Sequence, residues 1–117
     1  MKERQALSAF AALSQETRLR ILRALVVAGD EGLPAGQIAE RVGVSASNVS
    51  FHLKEMETAG LVSARREGRS IIYAADHGTI SDLIRFLLED CCSGRVETCG
   101  PAAPGVPPSG EALTSRE

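Results

Sequence analysis

Residues 38–62 read IAERVGVSASNVSFHLKEMETAGLV and contain the clearest signals for secondary structure in the chain. Its first part has apolar residues at helical spacing and ends at Gly43, a residue typical of helix C-termini. A second helix is predicted to begin after Ser45, which is a favourable N-cap, and to end at Gly60. Two short helices joined by a glycine-containing turn predict a helix-turn-helix.

The second of these helices has two different faces when its residues are projected at 100° each. Val49, Leu53 and Met56 lie on one side, which is therefore predicted to be buried. The opposite side carries short polar groups, which suit base edges and phosphate oxygens in a DNA major groove. The DNA-contacting residues predicted on this helix and its cap are Ser45, Ser47, Asn48, Ser50, Phe51 and Lys54. His52 lies beside the apolar side and is predicted either to pack against the core or to support a residue that contacts a ligand.

A basic hairpin is predicted after this helix. Residues 61–66 and 69–74 lack helix punctuation and flank Glu67-Gly68, a tight-turn pair between two strands. The arginines around the turn are Arg65, Arg66 and Arg69. They would contact the phosphate backbone as a wing. Taken singly, each feature favours a merely solvated surface, but the ordered series of helix, turn, capped helix and basic hairpin favours DNA binding.

Two further helices are predicted towards the N-terminus. Leu7, Phe10 and Leu13 have the spacing of an apolar helical stripe. Ser14 is predicted to be the N-cap of the next helix, which ends at Gly29. The apolar residues of that helix form a broad face that is predicted to be buried: Leu19, Ile21, Leu22, Leu25 and Val26.

A last amphipathic helix is predicted by the apolar spacing of residues 80–91, with Asp76 as its N-cap. The complete order, α-α-α-α-β-β-α, predicts a mostly α protein with a small β-hairpin, which is a winged helix-turn-helix. Residues 1–92 are assigned to this domain and residues 93–100 to a loop that carries cysteine. Residues 101–117 contain four of the five prolines and few strongly apolar residues, so they are predicted to be a disordered tail.

Length and composition limit the possible functions. A chain of 117 residues is long enough for one small domain, and its net charge of −2 excludes a broadly basic surface, so a nucleic-acid contact must be local. The sequence has neither an apolar run of membrane-spanning length nor a secretory leader pattern. We therefore expect a soluble, cytoplasmic protein without a membrane contact.

Three stretches together resemble the ArsR/SmtB family of metal-responsive winged-helix repressors: LSQETRLRILRAL (13–25), the block at 38–62 and ARREGRSIIY (64–73). The resemblance implies a homodimer formed through the first and last helices, so that residues 1–92 would serve both DNA binding and dimerisation. It further implies binding to an inverted-repeat operator in double-stranded DNA, with release when an inducer binds. By motif, the polar face of the second helix and the wing arginines stand where the family contacts DNA.

All three cysteines lie within EDCCSGRVETCG, residues 89–100: Cys91, Cys92 and Cys99. Adjacent Cα atoms are about 3.8 Å apart, below the roughly 4.4 Å that ordinary disulfides require, so Cys91 and Cys92 are expected to be free thiols. A short loop can return Cys99 to them at little entropic cost. Structural zinc sites use four ligands, whereas As(III), or Sb(III), takes three sulfurs and forms a neutral unit. The predicted metal ligands are therefore these three cysteines, with As(III) as the inducer and no organic cofactor.

Other inducer sites of the family are incomplete here. Residues 32–41, GLPAGQIAER, lack the Cys-x-Cys motif of some members, and Asp76-His77 is not followed by a second histidine. The predicted function is thus a repressor of an arsenic-resistance operon. The alternatives are a sensor of another soft metal ion (Cd(II), Pb(II), Hg(II) or Zn(II)), a regulator with a thiol redox switch, and a structural role for Cys91 in the dimer core.

Two other classes of protein are alternatives to a DNA-binding repressor. A thiol-based arsenate reductase needs a nucleophilic cysteine at a helix N-terminus, whereas these cysteines follow a helix C-terminus, so the chain is predicted not to be an enzyme. A small dimerising partner protein that never binds DNA is the second rival.

Overall fold

The computed structural model describes residues 1–89. Its helices and strands, in chain order, are α1 (Glu3–Leu13), α2 (Glu16–Ala28), a 3-10 turn (Gly29–Glu31), β1 (Leu33–Pro34), α3 (Ala35–Val42), α4 (Ala46–Thr58), β2 (Val62–Glu67), β3 (Ser70–Ala75) and α5 (His77–Leu88). Lys2–Thr79 form one unit, and Met1 with the residues from Ile80 onward belongs to another, so the two are described separately. Cys91, Cys92, Cys99 and the segments predicted at 93–100 and 101–117 lie outside the described residues.

The predicted order of helices and hairpin is confirmed, and one short strand is added to it. The sheet is antiparallel with strand order β1-β3-β2. Glu67 pairs directly with Ser70, and the two residues between them form the turn of the hairpin. Both strands therefore lie one residue later in the chain than predicted. Strand β1 was missed because it has only two residues and contains Pro34, which lacks an N–H donor and is tolerated at a sheet edge.

The helix-turn-helix carries much of the core of the unit that spans Lys2–Thr79. Val49, Leu53 and Met56 of α4 are all fully buried, as the projection of the helix predicted. They share the core with other fully buried residues from α2, α3 and the end of the α4–β2 connection: Ile21, Leu25, Ile38 and Leu61. The turn between α3 and α4 begins at Gly43, whose φ of 76° is a left-handed conformation that suits glycine.

The predicted start of α2 is wrong by one residue. Its N-cap is Gln15, whose side-chain Oε1 accepts a hydrogen bond from the Arg18 backbone N–H at 2.8 Å. Ser14 instead ends α1, and its Oγ donates to the Ala11 carbonyl at 2.9 Å. Ser14 is the single residue between Leu13 and Gln15. Because it is the C-cap of α1, it does not serve as the N-cap of α2.

The predicted buried face of α2 is wrong in part, and α1 packs through its small residues. The buried residues of α1 are Ala6, Ala9 and Ala12, whereas Leu7 is 61 % exposed and Phe10 is 37 % exposed. The large residues of α1 therefore face away from the core of their own protomer. On α2, the buried residues are Ile21, Leu22 and Leu25, and the remaining two of the predicted face, Leu19 and Val26, are exposed.

Helix α5 begins as the sequence predicted. The Asp76 Oδ1 accepts a hydrogen bond from the Thr79 backbone N–H at 3.0 Å, which is an N-cap interaction. Along α5, Leu83 is buried, whereas Ile84 and Leu87 are exposed. Across residues 1–89, every helix is too short or too polar to cross a bilayer.

Candidate nucleic-acid interface

The outer face of α4 is presented to solvent over its whole length. All six residues that the sequence predicted on this helix and its cap are exposed: Ser45, Ser47, Asn48, Ser50, Phe51 and Lys54. Phe51 is 59 % exposed, which is unusual for an aromatic residue beside a buried face. The structure therefore brings together a strip of short polar groups with one aromatic ring and one positive charge.

The N-terminus of α4 is fixed by its cap. The Ser45 Oγ accepts a hydrogen bond from the Asn48 backbone N–H at 3.2 Å and lies 3.3 Å from the Ser47 Oγ. The cap satisfies one of the free N–H groups of the first turn and sets the direction in which the helix leaves the turn. Ser45 thus has a structural role besides its predicted contact with DNA.

A polar contact that the sequence did not reveal anchors the middle of α4. The Arg18 Nε of α2 donates a hydrogen bond to the His52 Nδ1 at 3.1 Å, and the Arg18 Nη1 donates to the Ala12 carbonyl of α1 at 3.3 Å. One guanidinium therefore joins three helices. The predicted packing role of His52 is refined, because the half-buried ring is held by a hydrogen bond and also makes an edge contact with Phe51.

The surroundings of His52 favour its neutral form. Burial lowers the pKa of His52 below its ordinary value of 6.5, and the positive charge of Arg18 acts in the same direction. Glu55 acts in the opposite direction. The neutral ring is also the form that can accept the hydrogen bond from Arg18. No spacing in the sequence could have found this pair, because 34 residues separate the two partners.

The three wing arginines have different surroundings. The Arg65 Nη1 and Nη2 donate to the carbonyls of Asp30 and Glu31 at 3.1 and 2.8 Å, and its Nε donates to the Glu67 carboxylate at 2.7 Å. Arg65 therefore ties β2 to the turn after α2. Arg66 and Arg69 are exposed and make no side-chain hydrogen bond within residues 1–89. The positive charge that the wing can offer to a ligand is concentrated on these two.

Close packing holds the base of the wing in place. Gly32, at φ +69°, lies so near to β3 that a Cβ atom would overlap the Tyr73 carbonyl oxygen and the Ile72 side chain. Both the left-handed conformation and the missing side chain are therefore required here. The turn whose carbonyls accept hydrogen bonds from Arg65 thus packs closely against β3, the middle strand of the sheet.

The described residues offer no alternative inducer site made from metal ligands. Within residues 1–89, no group of three or more His, Cys, Asp and Glu side chains is arranged to hold a metal ion. Asp76, which belongs to the incomplete family site noted in the sequence, is engaged as the cap of α5. The predicted cysteine site remains a prediction, since all three thiols lie outside the described residues.

Comparison with known proteins agrees with this architecture. The family model of a helix-turn-helix domain matches residues 13–64. The transcriptional regulator CmtR of Mycobacterium tuberculosis is 36 % identical over 102 residues, which are 87 % of this chain and 82 % of the relative. A probable mercury resistance operon repressor of Streptomyces lividans is 33 % identical over 75 residues, covering 64 % of this chain and 58 % of the relative.

Solved structures lead to the same family. An ArsR-like transcriptional regulator from Rhodococcus has a TM-score of 0.65 and 35 % identity, with 73 % of this chain and 77 % of that one covered. A homodimeric winged helix-turn-helix DNA-binding domain from Mycobacterium bovis has a TM-score of 0.59 and 25 % identity, covering 76 % and 86 %. A possible transcriptional regulator for arsenical resistance has a TM-score of 0.57 and 29 % identity, covering 68 % and 78 %. These proteins are regulators of transcription and not enzymes, and the present chain belongs to the same ArsR family of winged helix-turn-helix transcriptional regulators.

Proposed function

We propose that this protein is a homodimeric repressor that binds an inverted-repeat operator and is released when a soft metalloid, As(III), binds to its cysteines. The observation that carries the DNA-binding part is the exposed polar face of α4, which packs next to a wing whose Arg66 and Arg69 make no side-chain hydrogen bond within residues 1–89. The inducer assignment rests on the spacing of the three cysteines in the sequence, which lie outside the described residues.

In this proposal α4 enters the major groove with its capped N-terminus. Ser47, Asn48 and Ser50 are short enough to approach base edges and phosphate oxygens without holding the helix away. The Phe51 ring suits contact with a thymine methyl group, and Lys54 suits a phosphate. Ser45 contributes at the helix start.

The wing would contribute affinity more than sequence specificity. Arg66 and Arg69 are proposed to contact backbone phosphates, which carry no sequence information. Arg65 is proposed to act mainly by holding the wing in place, because its guanidinium already donates to three protein oxygens. A contact of Arg65 with DNA would require some of these hydrogen bonds to be exchanged.

The proposed dimer rests on large apolar residues that the protomer leaves exposed. Leu7 and Phe10 are exposed on α1, and Ile84 and Leu87 are exposed on α5. These are the two helices through which the family resemblance implies dimerisation, and one solved relative is described as homodimeric. In such a dimer, two α4 helices would reach major grooves about 34 Å apart, which is one turn of B-DNA.

The proposed inducer site consists of Cys91, Cys92 and Cys99. The match with CmtR leaves only 15 of the 117 residues outside it, so it includes at least residues 16–102 and with them all three cysteines. As(III) bound to three thiolates is neutral, whereas zinc with three thiolates keeps a negative charge and an open position. Binding near the end of α5 would alter the dimer interface and so the spacing of the α4 helices. By thermodynamic linkage, bound DNA then weakens inducer binding by the same factor by which the inducer weakens DNA binding. Such coupling free energies are typically about 1–3 kcal/mol per site.

Hg(II) is a specific alternative inducer, since one relative is named as a mercury resistance operon repressor. A soft divalent ion would use the same thiolates. As(III) is distinguished from a divalent ion by its requirement for three sulfurs.

The experiment is an operator-binding titration by fluorescence anisotropy, with DNA from upstream of the protein's own gene. We expect arsenite to release the wild-type protein, and Cys99→Ser to bind DNA normally but respond at least about tenfold more weakly, since one of three ligands is lost. Ser93→Ala, a substitution without a thiol in the same segment, is the matched control and should respond as wild type. Full release of the Cys99→Ser variant by arsenite would refute the three-sulfur site. Release by Hg(II) but not by arsenite would favour the alternative inducer.

A further inference from the structure

A concave surface between α2 and α3 is not used by the proposed function. It is a cleft of about 450 Å³ that opens to solvent. Its lining residues are Arg20, Arg23, Ala24, Val27, Arg41 and Val42. The first four have the spacing i, i+3, i+4 and i+7 and therefore share one face of α2, and the last two come from the C-terminal turn of α3.

The cleft combines positive charge with an exposed apolar side chain. Val27 is 82 % exposed, more than any other large hydrophobic residue among those described. Three arginines line the same cleft, so an anion bound there would be attracted by their charge. An apolar group of the same ligand could cover Val27 and remove its surface from water.

Two of the three arginines have their donors available. Arg20 is paired with Glu16 of the same helix, with 2.6 Å between Nη2 and Oε2. Arg23 and Arg41 make no side-chain hydrogen bond and no salt bridge within residues 1–89. They approach the cleft from different helices. A carboxylate or phosphate placed between them can accept paired hydrogen bonds from a planar guanidinium, the geometry in which arginine binds such anions most strongly.

We propose that this cleft is a binding site for a small organic anion: a carboxylate or phosphate group held by Arg23 and Arg41 and attached to an apolar body that covers Val27. Its size is within the range of about 300–1,000 Å³ that is typical of small-molecule sites. The same arginines could instead hold a phosphate of the operator. The exposed Val27 side chain favours the small molecule, because a sugar-phosphate backbone has no large apolar group to place on it.

The test is a titration of the full-length protein with phenyl phosphate, followed by ¹H–¹⁵N NMR. We expect saturable shifts of the backbone amides of Ala24, Val27 and Val42, and binding at least about tenfold weaker for inorganic phosphate, which lacks the apolar body. Arg23→Ala and Arg41→Ala should each weaken phenyl phosphate binding about tenfold or more, and Arg23→Lys should lie between, since it keeps the charge but loses the fork. Arg4→Ala, which removes an exposed arginine of α1, is the matched control and should bind as wild type.

Three results would overturn the proposal. The first is the absence of saturable shifts at the cleft, and the second is unchanged binding in both Arg23→Ala and Arg41→Ala. The third comes from measuring operator affinity at several salt concentrations without any added anion. If Arg23→Ala weakens operator binding and flattens its salt dependence as Arg66→Ala is expected to do, the anion at the cleft is a DNA phosphate. We expect operator binding of Arg23→Ala to equal that of wild type, a result that does not depend on the identity of the inducer.

Discussion

Helices α4 and α1 have similar apolar patterns but use them in opposite ways. In α4 the large residues Val49, Leu53 and Met56 are buried and the polar face is exposed. In α1 the buried residues are alanines, and Leu7 and Phe10 face outward. The apolar face of α4 is thus covered within one protomer, whereas the large apolar residues of α1 are left exposed, as the proposed dimer requires.

The difference between α1 and α4 shows that the same apolar periodicity is compatible with two different packing arrangements. A periodic pattern predicts that an apolar face will be covered, but it does not say by what. In α1 the alanines allow close approach to α2 and α4, which it contacts. The larger side chains remain available for a partner, and exposed apolar surface of this kind commonly marks an interface.

The largest expected effect comes from breaking the buried face of α4. Leu53→Ala should lower the free energy of unfolding by about 2–5 kcal/mol, because the substitution removes fully buried methyl groups and leaves a cavity. Urea denaturation measures this change. Phe51→Ala on the same helix is the control, and it should shift stability by no more than about 0.5 kcal/mol, since the ring is exposed. Equal losses in the two variants would contradict the assignment of the two faces.

A smaller effect is expected on the exposed face of α1, and on assembly rather than on folding. Leu7→Glu should weaken the dimer by about 2 kcal/mol or more, roughly thirtyfold in the dissociation constant, because a charge would be placed in an apolar interface. Sedimentation velocity over a range of concentrations measures this. Leu19→Glu on α2, at another exposed leucine, should leave the dimer intact. A dimer unchanged by Leu7→Glu would remove α1 from the interface.

Two neighbouring arginines of the wing, Arg65 and Arg66, are expected to differ in what their loss affects. Arg66→Ala should weaken binding to all DNA sequences and reduce the slope of log K against log salt by about 1, as expected for one lost phosphate contact. Arg65→Ala should instead lower the free energy of unfolding, because three hydrogen bonds are lost. Operator titrations at several salt concentrations, together with denaturation, separate the two effects. Interchanged results would reverse the proposed roles of the two arginines.

The smallest effect concerns the contact that fixes α4 to α2 and α1. Because the pKa of His52 is lowered in the folded protein, the unfolded chain takes up this proton first as the pH falls below 6.5. His52 therefore stabilises the fold above pH 6.5, and this contribution decreases as the pH falls towards the lowered pKa of the folded state. Urea denaturation at a series of pH values should show this decrease in the wild type.

Variants at the two histidines test the source of that decrease. His52→Gln should show a weaker dependence on pH in this range, because the titrating group has been removed. His77→Gln, which removes the exposed histidine of α5, should retain the dependence of the wild type. An identical pH dependence in His52→Gln and the wild type would exclude His52 as its source.

The sequence predicted the helix-turn-helix well because its signals are local. The Ser45 cap, the glycine at position 43 and the apolar residues of α4 each act within one or two turns of helix, and all three predictions are confirmed. The hairpin was found for the same reason, with an error of one residue in its strands. Strand β1 was missed because two residues that include a proline give no periodic signal.

The proposed DNA-contacting residues were also found from local pattern, but their surroundings were not. Nothing in the sequence distinguishes Arg65 from Arg66, because their different environments depend on carbonyls that lie more than thirty positions away. Arg18 was not recognised at all, although it links α2 to His52 and to the end of α1. These contacts join elements that are distant in the chain, so only the folded arrangement reveals them.

The sequence by itself determined the order of helices and strands, the buried and exposed faces of α4, and the gathering of all three thiols in one short segment. Those features depend on chain direction, side-chain periodicity and composition, which are properties of neighbouring residues. Only the folded arrangement shows that α1 packs through its alanines, that Arg65 but not Arg66 is hydrogen-bonded within residues 1–89, and that Arg23 and Arg41 line one cleft. Each of these depends on which surfaces approach one another, and packing between distant segments is not encoded in any single local pattern.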